Sequence, residues 1–329
     1  MSKVLCTALN AENGPQIAIL QEAGLECHAA DRSVNLWDND VLIQQLQGFE
    51  CVIAGVEPYP AKVLAACPEL RVIARIGVGF DAIDLAECDA RGIAVATTPG
   101  VNHHSVAEHT VAMMVALSRG FPFADAGLRR GLWPRKAYPR LMDSTLGLIG
   151  LGRVGQAVAT RALGLGMRVI ASDPYPPEAF VTEHSIEIVS LDELYGQADY
   201  ISLHSPGTPE TTGMINRQSI AKMKPSAVLL NTARGQLVNE PDLISALQDG
   251  RLRGAGLDVF ETEPLPADNP LMSMDNVILS AHVAGLDRES FRDTHLMTAE
   301  TILSLRNNIL PRHCLQNLKH VTDWTWARH

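Results

Sequence analysis

Short apolar runs alternate with amphipathic stretches along the first third of the chain. The apolar runs are typical of buried strands, and the stretches between them have the spacing of helices. The runs are VLCTAL, LECHAA, CVIAGV, RVIARI and IAVATT. Because strands alternate with helices, the pattern predicts a parallel sheet that is covered by helices.

A second series of the same kind begins at LGLIG and continues through MRVIAS, IEIVS, YISLH, AVLLNT, RGAGLDV and NVILSAH. Between the two series lies a long apolar helix, SVAEHTVAMMVALSRG, which is followed by a basic segment at residues 121–140. We interpret this segment as an irregular connector or an exposed arm. A last helix is predicted from about Asp287 to Asn308. The fold class is therefore predicted to be α/β, with two doubly wound parallel-sheet domains.

The composition narrows the possible partners. A length of 329 residues favours two cores, and 46% hydrophobic with 19% charged residues is typical of a globular protein. The net charge of -10 argues against nucleic acid as a partner. No apolar run reaches the roughly 18 residues of a membrane span, and the N-terminus, MSKVLCTALNAENG, is not typical of a signal peptide. We therefore expect a cytoplasmic protein with no membrane partner.

The cysteines and histidines do not predict a metal site. Six cysteines are scattered without a C-x-x-C pair, and we expect buried, reduced thiols. His103 and His104 follow PGVN, where a solvated loop is the simpler interpretation. His204 ends the strand YISLH and is an alternative candidate for acid/base chemistry, but we expect it to line the adenosine or pyrophosphate side of a cofactor.

The stretch LGLIGLGRVG predicts a dinucleotide site. A strand ends at Gly150, Gly152 and Gly155 complete G-x-G-x-x-G, and a helix pattern follows. Gly150 permits the tight turn, Gly152 lets the backbone approach a pyrophosphate, and Gly155 lets helix and strand pack closely. The second strand ends at Asp173, whose carboxylate can accept hydrogen bonds from ribose hydroxyls and favours NAD over NADP.

A second match, RIGVGFDA, shows that the bare glycine pattern is weak evidence, because no acidic residue ends its second strand. Gly77 and Gly79 can still present backbone N–H groups to a substrate carboxylate.

Residues that can serve a nicotinamide reaction follow the last predicted strands. Arg234 can clamp a carboxylate, although a surface ion pair is the alternative. His282 can exchange the proton that accompanies hydride transfer. Glu263 can hold the imidazole of His282 by a hydrogen bond, and Asp258 and Glu261 lie on the same segment.

Five segments together resemble the D-isomer-specific 2-hydroxyacid dehydrogenases, especially the 3-phosphoglycerate and hydroxypyruvate or glyoxylate branch. They are GLGRVG, HSPGTPETTGMIN, LLNTARGQLVNEPDLISAL, GAGLDVFETEPL and SAHVAG. The resemblance implies an NAD-dependent enzyme that interconverts a small D-2-hydroxy acid and its 2-oxo acid. It implies Arg234, Glu263 and His282 as the catalytic set.

The resemblance also implies contacts with cofactor and substrate. Asp258 is expected near the nicotinamide carboxamide, and Arg75, Val78 and Gly79 are expected near the substrate carboxylate. The full set of expected cofactor residues is Gly150, Gly152, Arg153, Val154, Gly155, Asp173, His204, Thr211, Thr212 and Asp258.

The domain organisation that the resemblance implies is discontinuous. Residues 1–99 and 287–329 are expected to form a flavodoxin-like substrate domain, and residues 100–286 an inserted Rossmann NAD-binding domain. Such enzymes are usually homodimers, held partly by the arm at residues 121–140.

Two departures from the family pattern bear on the substrate. The family's T-P-H is Ser280, Ala281 and His282 here. The phosphoglycerate enzymes often carry an arginine after the third strand, whereas this chain has Glu57, although Arg75 and Arg135 can supply positive charge. A phosphoglycerate dehydrogenase proper and a non-catalytic NAD-binding regulator or corepressor therefore remain as alternatives.

Overall fold

The computed structural model describes residues 2–8 and 14–327. The chain folds into two compact units: unit 1 consists of Met1–Asn102 and Asp287–His329, and unit 2 of His103–Leu286. Leu9, which ends the first predicted strand, and the polar residues 10–13 of the N-terminal stretch lie outside the described residues. Within the described ranges, no helix combines the length and the apolar character needed to cross a membrane.

Each unit is built on one sheet in which all neighbouring strands run parallel. The strands are β1 (Lys3–Cys6), β2 (Glu26–Ala29), β3 (Cys51–Ala54), β4 (Val72–Arg75), β5 (Ala94–Ala96), β6 (Thr145–Ile149), β7 (Arg168–Ser172), β8 (Glu187–Ile188), β9 (Tyr200–Leu203), β10 (Val228–Asn231), β11 (Gly254–Leu257) and β12 (Val277–Leu279). The prediction of two parallel-sheet α/β domains is confirmed.

Helices connect most consecutive strands, as is usual between parallel strands, and a short 3-10 helix, Pro270–Ser273, lies between β11 and β12. The helices are α1 (Pro15–Glu22), α2 (Asn39–Leu46), α3 (Ala61–Ala66), α4 (Leu85–Arg91), α5 (His103–Arg119), α6 (Phe121–Arg129), α7 (Arg153–Gly164), α8 (Glu178–Glu183), α9 (Leu191–Gln197), α10 (Arg217–Ile220), α11 (Glu240–Gln248) and α12 (Arg288–Arg306).

The interpretation of residues 121–140 as irregular was wrong for its first half, which is α6 (Phe121–Arg129). Pro122 occupies the first turn, where its fixed φ suits a helix, and alanine and leucine follow with high helix propensity. The helix stops before Gly131, at φ 78°, and the residues from 132 to 140 form no regular element.

The order of the strands places one switch point in each sheet. Unit 1 has the order β2-β1-β3-β4-β5, which is flavodoxin-like, and its order reverses between β1 and β3. Unit 2 has the order β12-β11-β10-β9-β6-β7-β8, which contains the Rossmann arrangement and reverses between β6 and β9. Ligands of such sheets bind at the carboxyl ends of the strands near these points.

Each unit has its own hydrophobic core, and the two cores are built from different parts of the chain. In unit 1, residues after α12 join the strands, and Leu315, Trp324 and Trp326 are buried there. In unit 2, α5 and α7 cover one face of the sheet and α9, α10 and α11 cover the other. The six cysteines are free thiols, and all except the half-buried Cys27 are buried.

The contact between α7 and the turn after β6 predicts an asymmetric response to alanine. A Cβ at Gly155 would lie 2.3 Å from the carbonyl oxygen of Gly150, whereas a Cβ at Gly164 of the same helix meets nothing within 4 Å. We expect Gly155→Ala to lower the free energy of unfolding by about 1–3 kcal/mol through overpacking. Gly164→Ala should be neutral or stabilise by up to about 1 kcal/mol, because alanine loses less backbone entropy. Urea denaturation of both variants checks this, and an equal effect would contradict the close contact.

Candidate active site

The turn after β6 brings the predicted glycines to the switch point of unit 2. Gly150 has φ 96°, and a Cβ on it would lie 2.7 Å from the carbonyl group of His204 at the end of β9. Gly152 is the N-cap of α7, and a Cβ there meets nothing within 4 Å. Gly150 and Gly155 are therefore required by the fold itself, whereas Gly152 leaves open space at the helix N-terminus. Of the residues that follow, Arg153 is exposed and Val154 is half-buried.

Asp173 lies at the end of β7 beside this turn. One carboxylate oxygen accepts a hydrogen bond of 2.6 Å from the backbone N–H of Leu151, and the other accepts one of 2.7 Å from Tyr175. The carboxylate is thus held in place by two backbone groups, and the side chain remains half-buried rather than enclosed.

His204 follows β9 on the other side of the switch point. Its Nε2 lies 2.9 Å from the hydroxyl of Ser202, and burial lowers the pKa of His204 to about 3. The imidazole is therefore neutral at physiological pH, which removes it as a general acid. The rival role considered for His204 in proton transfer is not supported by this environment.

Thr211 and Thr212 belong to the loop after β9, and their hydroxyls stabilise that loop. The hydroxyl of Thr211 accepts from the N–H of Thr208 at 2.8 Å and donates to the carbonyl of Pro206 at 2.7 Å. The hydroxyl of Thr212 donates to the carbonyl of Thr208 at 2.8 Å. Their predicted contacts with cofactor phosphates stay predictions.

Arg234 follows β10 in a loop that Asn231 stabilises. The Asn231 side chain donates to the carbonyl of Arg234 at 2.8 Å and accepts from the N–H of Ala233 at 3.1 Å. The next residue, Gly235, packs so closely that a Cβ would lie 1.8 Å from the carbonyl oxygen of Phe260. Sequence reasoning missed Asn231, although asparagine at the end of a strand is a typical turn former.

Glu263 and His282 form a hydrogen-bonded pair. His282 Nδ1 lies 2.7 Å from Glu263 Oε2, and the other carboxylate oxygen accepts from the N–H of Phe260 at 3.0 Å. The side chains are 39% exposed at His282 and 28% exposed at Glu263, so the pair is accessible. Because Nδ1 is committed to the carboxylate, Nε2 is the ring atom that can meet a ligand.

The pKa of Glu263 reflects opposing influences. Burial acts to raise the pKa, but the hydrogen bond and charge of His282 act to lower it. The N–H of Phe260 and the charge of Arg234 add to the lowering, and the net shift is downward. The structure thus brings Arg234, Glu263 and His282 into electrostatic contact within unit 2.

Asp258 has a more structural environment than the sequence suggested. Its side chain is 1% exposed and accepts hydrogen bonds from the N–H groups of Val283 at 3.0 Å and Ala284 at 2.9 Å, and from the hydroxyl of Ser280. Its backbone carbonyl accepts from the N–H of His282 at 2.8 Å. Asp258 therefore organises the loop that carries His282, and its expected contact with a nicotinamide carboxamide stays a prediction.

Three further residues predicted to bind the substrate, Arg75, Val78 and Gly79, lie in unit 1 at the end of β4 and just after it. Gly77 adopts φ 122° and exchanges hydrogen bonds with Thr98 of 3.0 and 2.9 Å. Val78 is 44% exposed, and Gly79 is half-buried. The guanidinium of Arg75 folds back onto the carbonyl of Ile76.

Glu57 lies at the switch point of unit 1 and is 4% exposed. Its Oε1 accepts hydrogen bonds from the hydroxyl of Tyr59 at 2.7 Å and the N–H of Gly55 at 3.0 Å, and it contacts the hydroxyl of Thr7. A carboxylate is therefore built into the strand ends where a ligand of this sheet is expected.

Among the residues that the structure describes, no group of three or more His, Cys, Asp or Glu side chains is arranged to hold a metal ion.

Comparisons with known proteins match the chain to one family and to several individual proteins. The family model described as "D-isomer specific 2-hydroxyacid dehydrogenase, NAD binding domain" matches residues 111–284. The D-3-phosphoglycerate dehydrogenase of Mycobacterium tuberculosis is 42% identical over 254 residues, which cover 76% of this chain and 48% of that protein. The chain thus spans about half the length of this relative.

Two further relatives are matched over most of their length. The glyoxylate reductase of Korarchaeum cryptofilum is 36% identical over 305 residues, which cover 89% of this chain and 92% of that protein. The crystal structure of D-lactate dehydrogenase from Aquifex aeolicus, complexed with NAD and lactic acid, superposes with a TM-score of 0.84 at 31% identity, covering 95% of this chain and 98% of that one.

The lowered pKa of Glu263 predicts how this residue contributes to stability as pH changes. Because the folded state binds the proton less readily than the unfolded chain, the ionised carboxylate stabilises the fold above its unfolded pKa of about 4.3. This contribution is lost as pH falls through the folded pKa. We expect Glu263→Gln to be less stable than the wild type at pH 7, with a difference that shrinks on acidification below about pH 4. Urea denaturation at a series of pH values checks this. A difference that stays constant or grows in acid would contradict the assignment.

Proposed function

We propose that this chain, which belongs to the D-isomer-specific 2-hydroxyacid dehydrogenase family, is an NAD-dependent enzyme that interconverts a small D-2-hydroxy acid and its 2-oxo acid. The observation that carries the proposal is the pair of His282 and Glu263, whose Nδ1 and Oε2 atoms are 2.7 Å apart beside the charge of Arg234. This set can move a proton and bind a carboxylate, which are the two tasks that the reaction leaves to the protein.

The residues around the glycine turn fit NAD. The open space at Gly152 is the space that a side chain would fill, and it lies at the N-terminus of α7, where backbone N–H groups favour a pyrophosphate. Asp173 presents a fixed carboxylate that suits a ribose diol and opposes the extra phosphate of NADP. When bound, NAD takes the hydride from the 2-carbon of the hydroxy acid, and NADH returns it in the reverse direction. The roles of Gly150, Arg153, Val154, Gly155, His204, Thr211 and Thr212 in this site are part of the proposal.

His282 moves the proton in the proposed mechanism. The carboxylate of Glu263 accepts a hydrogen bond from Nδ1–H, so that the neutral ring has its lone pair on Nε2. During oxidation, Nε2 takes the proton from the substrate hydroxyl as hydride leaves the carbon that bears this hydroxyl. During reduction, the imidazolium returns the proton to the carbonyl oxygen. Glu263 stabilises the imidazolium in either direction.

Arg234 binds the substrate in this proposal. Its planar guanidinium can hold a carboxylate through two hydrogen bonds and place a positive charge near the adjacent carbonyl oxygen. That positive charge stabilises the negative charge that develops on the carbonyl oxygen during hydride addition. The carbonyl of Arg234 is fixed by Asn231, so that the base of the side chain is held in place.

We propose that the substrate is not phosphorylated. Glu57 places a carboxylate among the strand ends of unit 1, where it disfavours a phosphate group in a ligand of that sheet. Short 2-oxo acids such as glyoxylate and hydroxypyruvate carry no phosphate group. A phosphoglycerate dehydrogenase activity is therefore the second candidate, supported by the relative in M. tuberculosis but opposed by Glu57.

The roles of the units follow from the same proposal. Unit 2 carries the matched NAD-binding domain, and we propose unit 1 as the substrate domain, with Arg75, Val78 and Gly79 as carboxylate-binding residues. We also propose a cytoplasmic location, since free thiols at all six cysteines are typical of proteins in a reducing compartment.

A homodimer is proposed from the surface of the arm. Phe121 is 71% exposed and Trp133 is 78% exposed, and Leu128 and Leu132 are more than half exposed. An apolar groove between α5 and α6, lined by Val115 among others, adjoins Phe121. Large apolar side chains grouped in this way mark an interaction surface, and a second copy of the chain is the partner we propose.

The first expected result is turnover with NADH on an unphosphorylated 2-oxo acid. Purified protein is assayed by NADH absorbance with glyoxylate, hydroxypyruvate, pyruvate and 2-oxoglutarate, and with NAD plus 3-phosphoglycerate in the reverse direction. We expect kcat/KM to be highest for a short unphosphorylated acid. His282→Ala should lower kcat by about 10²- to 10⁴-fold while NADH still binds, because a positioned acid or base contributes that much.

His313→Ala, which changes an exposed histidine of unit 1, is the control and should leave turnover unchanged. Preference for 3-phosphoglycerate would select the second candidate. NADH binding without turnover on any substrate would favour a regulator and overturn the enzyme proposal. Normal turnover in His282→Ala would remove this residue from the mechanism.

The dimer proposal predicts that a substitution in the arm lowers the mass of the particle in solution. We expect light scattering to give twice the chain mass of 35.6 kDa for the wild type and a shift towards the single-chain mass for Trp133→Ser. Ile309→Ser replaces another residue that is more than half exposed, at 62%, and should leave the mass unchanged. A monomeric wild type, or a Trp133→Ser variant that stays dimeric, would count against the arm as the interface.

A further inference from the structure

Helix α5 makes polar contacts with the loops that carry the candidate catalytic residues. The Ser105 hydroxyl donates to the carbonyl of Ala284 at 2.8 Å, two residues after His282. The Thr110 hydroxyl lies 2.8 Å from that of Thr232, two residues before Arg234. His109 reaches the loop of His282 through a third contact. One helix thus touches both loops of the proposed acid/base and carboxylate-binding groups.

The contact of His109 with Ser280 is the first of two successive hydrogen bonds whose donors and acceptors can be assigned. The Ser280 hydroxyl lies against the carboxylate of Asp258, which can only accept, so Ser280 must donate its proton to Asp258. The oxygen of Ser280 then accepts from His109, whose Nε2 is 2.8 Å away. Nε2 of His109 therefore carries a hydrogen. The chain runs from His109 to Ser280 to Asp258, and His109 Nε2 also lies 3.7 Å from Asp258 Oδ1.

Asp258 transmits this contact to His282. The same carboxylate accepts the N–H groups of Val283 and Ala284, and the N–H of His282 donates to the carbonyl of Asp258. His282 itself adopts φ 53°, a left-handed conformation that a non-glycine residue rarely holds without support from its surroundings. The hydrogen bonds on either side of His282 provide that support.

We propose that His109 and Ser280 are positioning residues, which fix Asp258 and through it the backbone conformation that aims His282 at its partner Glu263. The proposal rests on the proposed function, since the aim of His282 matters for turnover only if this residue moves the proton. It goes beyond that function because the proposed mechanism gives neither His109 nor Ser280 a role in the reaction.

Ser280→Ala is the decisive variant because it removes the hydroxyl that links His109 to Asp258. We expect kcat to fall by about 10- to 100-fold, as for a small misplacement of a reacting group, with KM for NADH changed less than about twofold. Amide hydrogen exchange at residues 282–284 should become faster. Ser280→Thr keeps a hydroxyl on the same carbon and should restore both kcat and protection.

Three further variants separate a positioning role from a general effect on stability. His109→Gln keeps an N–H donor and should retain most activity, whereas His109→Leu keeps bulk without a donor and should behave like Ser280→Ala. Ser118→Ala is the matched control, since this buried serine of the same helix bonds only to the carbonyl of Val115 at 2.9 Å. We expect its kcat and its exchange at residues 282–284 to equal those of the wild type.

The outcomes distinguish this proposal from the proposed function. Wild-type kcat and wild-type exchange in Ser280→Ala would overturn the proposal, and so would equal losses in Ser280→Ala and Ser118→Ala. If the wild type turns over no 2-oxo acid, the proposed function fails, but hydrogen exchange still decides the role of Ser280. Faster exchange at residues 282–284 in Ser280→Ala alone would support positioning of the loop, and unchanged exchange would refute it.

Discussion

The carboxylate of Asp258 and the loop at residues 280–284 depend on each other. A carboxylate that is 1% exposed is costly unless its oxygens are hydrogen-bonded, and the loop supplies two N–H groups and a hydroxyl. Without the carboxylate, the same N–H groups would lose their acceptors. The backbone of His282 lies between these contacts. Its left-handed conformation is therefore held by the hydrogen bonds that the buried carboxylate of Asp258 requires.

The switch points of the two sheets carry contrasting chemistry. In unit 2 the backbone carries no side chain at Gly150 and Gly152. The carboxylate of Asp173, at the end of β7, is held by backbone N–H groups. In unit 1 a buried carboxylate, Glu57, fills the equivalent place with its partner Tyr59. The first arrangement leaves room for a large anion close to the backbone, whereas the second places a negative charge among the strand ends. Sheets of similar topology therefore offer different chemistry at their switch points, because their strand ends carry different residues.

Much of this could be predicted because parallel strands end at one edge of a sheet. The alternation of apolar runs and helices predicted the two sheets, and the same rule pointed to Arg234, Glu263 and His282 as residues of one edge. The hydrogen bond between Glu263 and His282 is present in the structure. Periodicity did not reveal α6, since Gly127 lies within this short helix and Gly131 follows it closely, and glycine has a low helix propensity.

The contacts of α5 could not be predicted from local sequence. His109 and Thr110 belong to a helix whose apolar residues indicate only a core position, and their partners are 171 and 122 residues further along the chain. The role of Asp258 was also hidden, because an acid after a strand gives no sign of whether it faces a ligand or its own loop. Only the three-dimensional arrangement shows which polar groups satisfy one another.

The end of the described chain has a consequence for synthesis on the ribosome. Trp326 donates through its indole N–H to Glu50 at 3.0 Å, and its carbonyl accepts from Arg71 at 3.2 Å, while the indole of Trp324 donates to the carbonyl of Gly92 at 2.8 Å. These tryptophans belong to the core of the unit whose sheet is made first. Unit 2 is contiguous, whereas the strands of unit 1 gain these contacts only after Trp324 and Trp326 have been synthesised. The sheet of unit 1 is thus made before that of unit 2, but its core is completed after all of unit 2 has been synthesised.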